Sequence, residues 1–383
     1  MTRPRTSRNT SSTADPNAAG DETTTAATTA GSAATATMTL LERRYRRVLR
    51  LLPSSYREAR EEEMVETYLY GFDDADLDEL RPAAGEVASV AALAVRTRLG
   101  AAGSPAGYAA LGRAVRMFAV CGVLLLAAQA LTERVLTLVW AQSSATGQAL
   151  FVTGFTGHGW VSGTREVALW TLPLLWTAAY GALARDQRRA ARRLVVLASL
   201  PDTLALVSGT DDAADLALLT VSGAVFAWLT VAGVYAGFHS DAPPARLPGI
   251  PSGLALMATC VAIGAATVAW PTGADPQWAT GAVYVLGASA YLVATRRERG
   301  DPAPLLALAA VGVLMLCLRA AMLSLLLRLA APGAMTLGNV ILLAAVVATT
   351  VTLTVLGVRS LRSAGPAGHG RSPGHGGTSE GLT

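Results

Sequence analysis

The chain has 383 residues, 52% of them hydrophobic and only 15% charged. A soluble domain is usually about a quarter charged, so this balance excludes a soluble enzyme or a disordered chain for most of the length. The net charge is +4 and every one of the 31 basic residues is arginine, an excess that reads as Arg at membrane borders and not as a nucleic-acid surface.

The acids are unevenly spread: of 27, 3 lie in 1–37, 12 in 38–114, 11 in 115–358 and 1 beyond. Residues 115–358 hold those 11 acids and 14 Arg, mostly in short clusters between apolar runs. The expected class is an all-α, polytopic helical membrane bundle with a small cytosolic N-terminal helical domain. The partner this requires is the lipid bilayer.

Residues 1–37, rich in Thr, Ser and Ala, lack an apolar run of signal-peptide length and are expected to be a disordered leader. Residues 38–100 are charged and helical in pattern. Leu41, Tyr45, Val48 and Leu52 make one apolar helical face, and Arg43, Arg44, Arg46, Arg47 and Arg50 cover the rest. Pro53 ends that helix, and Ser55 stands three residues before Glu58, the spacing of a capping box. The second helix carries Glu58, Glu61, Glu62, Glu63 and Glu66, with Met64, Val65, Tyr68, Leu69 and Phe72 as its apolar stripe. A basic and an acidic helix joined by a short turn predict an antiparallel hairpin. An acidic loop, 73–79, and a third helix near Ala83–Leu99 follow, then a linker over 101–114.

From 115 to 358 the pattern predicts eight membrane spans, at 115–138, 166–184, 194–208, 216–238, 253–271, 278–295, 304–326 and 336–358. Most have the ~17–25 residues a crossing helix needs. The third is short and contains Pro201 and Asp202. With a cytoplasmic N-terminus, the inner loops hold Arg185, Arg188, Arg189, Arg192 and Arg193, then Arg246, then Arg296, Arg297 and Arg299. Arg359 and Arg362 follow at the last border. The outer connections hold Arg165 at a border, then none in 209–215, 272–277 and 329–335, and 209–215 carries Asp211, Asp212 and Asp215. This is the positive-inside pattern of a plasma-membrane protein with both termini cytoplasmic. Residues 359–383, Gly-, Ser-, Pro- and His-rich at their end, are expected to be a disordered tail.

The run LERRYRRVLRLLPSSYREAREEEMVETYLYGF at 41–72 resembles the small helical cytosolic domain called HAAS, or permease-prefix-like, found before membrane segments in many bacterial proteins. RPAAGEVASVAALAVRTRLG at 81–100 is similar to actinobacterial integral membrane proteins of the same arrangement. The resemblance implies a docking or signalling module with a cytosolic protein partner, a PadR-like regulator or an ATPase subunit, and implies no catalytic residue. Opposite charge on two neighbouring helices also serves simply to keep a small hairpin soluble and in register.

No motif for catalysis, a cofactor or a metal is present. The cysteines Cys121, Cys260 and Cys317 fall inside apolar runs, and His158, His239, His369 and His375 are scattered. Gly154, Gly157 and Gly159 in GFTGHG do not match a phosphate-binding loop. The better clue is charge inside the spans, since a charge at mid-membrane costs about 2.5–3.5 kcal/mol on insertion scales. Arg319, Asp202, Glu133 and Arg134 fall in the outer half of the bilayer at comparable depth. They form a candidate polar cluster in which Arg319 pairs with Asp202 or Glu133. Two functions compete: a non-enzymatic membrane protein that docks a partner on 38–100, and a transporter with its site at this cluster. The spacing of Gly233 and Gly237 predicts a close helix contact inside the bundle.

Overall fold

The structure is a computed structural model that describes residues 39–70, 81–100, 106–156, 160–208, 214–239, 249–269, 278–295 and 301–363. The leader, the acidic loop 73–79, Asp211 and Asp212, His158, His369 and His375 lie outside the described residues. Every described element is a helix.

Three helices come first: α1 (Leu40–Leu49), α2 (Ser54–Leu69) and α3 (Ala84–Arg98). Thr39 caps α1 by accepting the Glu42 N–H at 3.2 Å, which leaves one fewer orphan donor at the helix start. Tyr45, Leu49, Leu52, Val65, Val90 and Ala94 bury one another between the three helices, and Tyr45 stacks on Tyr68 with ring centroids 3.9 Å apart. The face expected through Val48 turns slightly, so that Leu49 is the fully buried residue. Arg46 joins the two charged helices, bonding Glu62 through both terminal nitrogens at 2.8 Å and Glu42 through Nε at 2.9 Å. The expected capping box does not form. Pro53 occupies the cap position of α2 and Ser55 lies inside the helix, because Pro53 already supplies the extended φ and ψ from which a helix can start. The side chain that reaches back to a helix start is instead Glu86, which accepts the Ala83 N–H at 2.8 Å and the Tyr68 hydroxyl at 3.0 Å.

The linker expected at 101–114 is helical from Ala106, where α4 (Ala106–Ser143) begins. Its first turns are held by packing: a side chain on Gly112 would collide with the Leu99 carbonyl at the end of α3. At 38 residues, α4 is about 57 Å long, more than a bilayer core requires. The stretch between the first two expected spans, 139–165, holds α5 (Ala145–Thr156) and the start of α6 (Trp160–Thr171). A 3-10 turn at Leu172–Leu174, around Pro173, links α6 to α7 (Leu175–Ala184).

The third apolar segment is broken into α8 (Arg188–Ala198) and α9 (Leu200–Ser208). The break falls at Ser199, just before Pro201, which has no N–H to continue the ladder. Then come α10 (Ala214–Gly237), α11 (Ile250–Ala269), α12 (Trp278–Thr295), α13 (Pro302–Arg328) and α14 (Gly333–Ser363). The last begins before and ends after the span expected there, and it runs into the stretch read as tail.

Among the described residues six helices are long and apolar enough to cross a membrane: Gly107–Ser143, Gly163–Ala184, Leu216–Gly237, Trp278–Thr295, Pro302–Arg328 and Gly333–Arg362. The expected third segment falls short because it is broken, and the expected fifth has a shorter apolar run, Ile250–Ala266. The protein is therefore a multi-pass helical membrane protein.

Small residues set the helix contacts, as they must where lipid removes the hydrophobic drive between helices. Gly237 and Gly233 of α10 lie on Arg116 and on Phe118 and Ala119 of α4, and Gly122 of α4 lies on Thr230. The Gly233–Gly237 pair thus packs inside the bundle. Gly312 of α13 admits Thr350 of α14 and the Tyr284 hydroxyl of α12. α4 separates two cores: one with α7, α8, α10 and α11, and one shared mainly by α12, α13 and α14. Outside, Leu337, Ile341, Val347, Val351 and Val355 are exposed along α14, the inverse of a soluble surface.

Candidate functional site

The bidentate pair of Arg113 and Asp301, at 3.0 and 3.1 Å, ties the starts of α4 and α13 together. Counting from that pair at 1.5 Å per residue, Glu133 lies about 30 Å and Arg319 about 27 Å along its helix. The two sit at similar height, but in different parts of the bundle.

Arg319 is 1% exposed. Its Nε packs on Gly281 of α12, where an added methyl would stand 3.2 Å from it and 2.9 Å from Leu342 of α14. A glycine at 281 makes the room a guanidinium needs between three helices. Arg319 belongs to the α12–α13–α14 side, and the two acids belong to the side of α4 and α9.

Those acids are neighbours of one another. Glu133 accepts a hydrogen bond from Gln129 at 3.0 Å and lies within electrostatic range of Asp202. Arg134 also lies within electrostatic range of Glu133, while its Nη2 donates to the Leu169 carbonyl at 3.3 Å and its guanidinium carbon lies 5.7 Å from the centroid of the Trp170 ring. Thr203, next to Asp202, accepts the Trp228 indole N–H at 2.9 Å and so fixes α9 against α10. Glu133 thus lies within electrostatic range both of Asp202, next to the helix break, and of Arg134.

The other surface with shape belongs to α1–α3, where Tyr45, Tyr56, Arg60, Met64, Tyr68 and Leu93 line a groove. Burial, and then the hydrogen bond to Glu86, push the Tyr68 hydroxyl up to about 12. Hydrogen bonding to Arg46 holds the Glu62 carboxyl below its ordinary value. The groove therefore combines aromatic faces with both signs of charge.

Residues that composition had filed as loop charges have defined work. Arg188 Nη1 donates to the His239 carbonyl at 2.8 Å and Arg192 Nη2 to the Phe238 carbonyl at 2.6 Å, satisfying carbonyls at the end of α10. The available signal was their spacing of four on a helix start, but their target, a helix end 46 to 51 residues away, carries no local mark. Among the described residues no group of three or more His, Cys, Asp or Glu could hold a metal ion. No protein-family model, curated protein or solved structure matches the chain.

Proposed function

We propose that this is a non-enzymatic multi-pass membrane protein whose α1–α3 unit docks a soluble partner, with the bundle as anchor or sensor. One observation carries the reading. The unit has its own buried core, and its last helix abuts Gly112 of α4, the helix that both bundle cores share. A partner seated on the groove would press on the helix that organises the membrane part. The test uses the full-length protein in detergent, with Met64→Glu in the groove as control. A defined soluble protein recovered by the wild type and lost from the variant supports docking. Identical recovery of chaperones alone by both sinks it.

A second reading, transport, rests on the acids Glu133 and Asp202 beside the break in the third segment, since discontinuous helices line many transport sites. Reconstituted protein whose solute flux is unchanged by Asp202→Asn and by Arg319→Ala would remove its support.

The plasma membrane, cytoplasmic termini and eight crossings belong to the same proposal. α8 begins, and α10 ends, on one face, as the Arg188 and Arg192 bonds require. With 24 residues, α10 is about 36 Å long, whereas residues 209–213 can reach only about 20 Å. α8 and α9 therefore carry the chain at least about 16 Å of that distance. Labelling of Asp212→Cys from the cytoplasmic side alone would overturn this topology.

A further inference from the structure

None of the 12 residues of α5 (Ala145–Thr156) is charged, and Gly147 alone among them is buried. Leu150 and Val152 are 59% and 50% exposed, and two residues apart on a helix they stand on nearly opposite sides. A helix that is apolar on every side is one that its surroundings bury, yet the protein covers only one side of α5. The contrast is with α2, which exposes Glu58, Arg60, Glu62, Glu63 and Glu66, as a helix facing water does. The hydroxyl groups at the end of α5 need no water either. Thr153 donates to the Ala149 carbonyl at 2.7 Å and Thr156 to the Val152 carbonyl at 3.0 Å, so both are satisfied within the helix.

Its neighbours fix its depth. A methyl group on Gly147 would stand 2.9 Å from the Trp140 carbonyl of α4, and one on Gly163 of α6 would stand 2.6 Å from the Phe155 carbonyl. The rings of Phe151 and Phe155 each lie 6.4 Å from the Trp170 ring, over which Arg134 of α4 is placed. Trp140 belongs to the membrane-length helix Gly107–Ser143, and Gly163 and Trp170 belong to Gly163–Ala184. Counted from Arg113 at 1.5 Å per residue, Arg134 is about 32 Å along α4, at the far edge of a ~30 Å hydrocarbon core. α5 thus starts beyond the end of α4 and turns back to that edge. At about 18 Å it is too short to cross, and an apolar run of 10–14 residues is the length of a re-entrant or interfacial segment.

We propose that α5 is a re-entrant helix seated in the leaflet opposite the Arg113–Asp301 pair, with lipid around all but its Phe151–Phe155 face. Ser144, Thr146 and Gln148 lie at its outer start, level with the headgroups, and Leu150, Val152 and the internally bonded threonines lie towards its inner end. The seat is independent of the docking reading and holds for either orientation of the bundle. It gives the membrane part a surface, separate from the α1–α3 unit, that meets one leaflet alone.

The experiment takes the full-length protein, with Cys121→Ala, Cys260→Ala and Cys317→Ala, into phosphatidylcholine nanodiscs. Nitroxide labels at Leu150→Cys and Val152→Cys are compared with labels at Ile341→Cys, on the outer face of α14, and at Tyr70→Cys, a position 93% exposed beside α2. Collision with a water-soluble nickel chelate at 150 and 152 should fall about fivefold below that at 70, because water is excluded from lipid. Collision with oxygen should match that at 341. Nickel collision as frequent as at 70 places α5 in water and overturns the seat. Loss of both collisions shows that a second copy of the chain covers α5, and overturns it equally. If the cysteine-free protein does not fold, the wild type in discs carrying a phosphatidylcholine with a diazirine on its acyl chain decides. Adducts within 145–156 support the seat, and adducts on α14 without any in 145–156 refute it.

Discussion

The α1–α3 unit and the bundle solve the same packing problem with opposite materials. In the unit a core of Tyr45, Leu49, Leu52 and Val65 is wrapped in charge, and Arg46 joins two helices through Glu62 and Glu42. In the bundle the apolar side chains face outward along α14, and glycines such as Gly237 and Gly312 lie at the contacts. Water drives the first arrangement by excluding apolar area. Lipid cannot, so close fit and occasional polar contacts hold the second.

If this contrast is right, the largest effect comes from filling a bundle contact. Gly237→Leu must push α10 off Arg116 of α4 and should cost more than about 3 kcal/mol, seen as aggregation or a lowered melting temperature in detergent. A variant as stable as the wild type would show that the α4–α10 contact is not tight.

The next effect lies in the unit. Leu49→Ala removes a side chain that is 0% exposed and should cost about 2–5 kcal/mol, read by protease cutting within 39–100 while the bundle stays intact. Its counterpart Ile341→Ala, on the outer face of α14, should change stability by less than about 0.5 kcal/mol. Equal losses at both positions would erase the distinction drawn above.

Smaller again is Glu86→Gln, which weakens the acceptor for the Ala83 N–H and the Tyr68 hydroxyl; about 1 kcal/mol is expected. The same variant should ease ionisation of Tyr68. The folded-state value, about 12 against an ordinary 10.0, is raised. Its contribution to stability is therefore whole below pH 10 and is lost as pH rises towards 12. Tyrosinate absorbance across that window should move to lower pH in the variant, and an unmoved titration would mean that burial alone sets the value.

The smallest effect is expected from Arg46→Gln, at a partly exposed ion-pair network of the kind that adds little. It should be visible mainly as a loss of acid sensitivity. Glu62 is held below its ordinary value, so its contribution is present at neutral pH and disappears as pH falls through the folded value. Thermal scans of both proteins at neutral and acidic pH would show it.

Several features were legible from pattern alone. The apolar stripes of α1 and α2 predicted the hairpin and its core, because a 3.6-residue period allows one buried face. Long apolar runs predicted the membrane class, since a bilayer admits only segments that satisfy their own backbone. The proline at 201 marked the break in the third segment for the same local reason.

What tertiary structure decided is how distant pieces meet. Depth along a helix can be counted, and it put Arg319, Glu133 and Asp202 at one level. Rotation about the axis and the order of helices around α4 cannot be counted, and they sent Arg319 to Gly281 while leaving Asp202 beside Glu133. The helical start of α4 was likewise hidden, because it depends on Gly112 meeting Leu99 and not on any signal within 101–114. Composition and period determine what each segment can bury. Which neighbour buries it depends on contacts between residues far apart in the chain, and those leave no local trace.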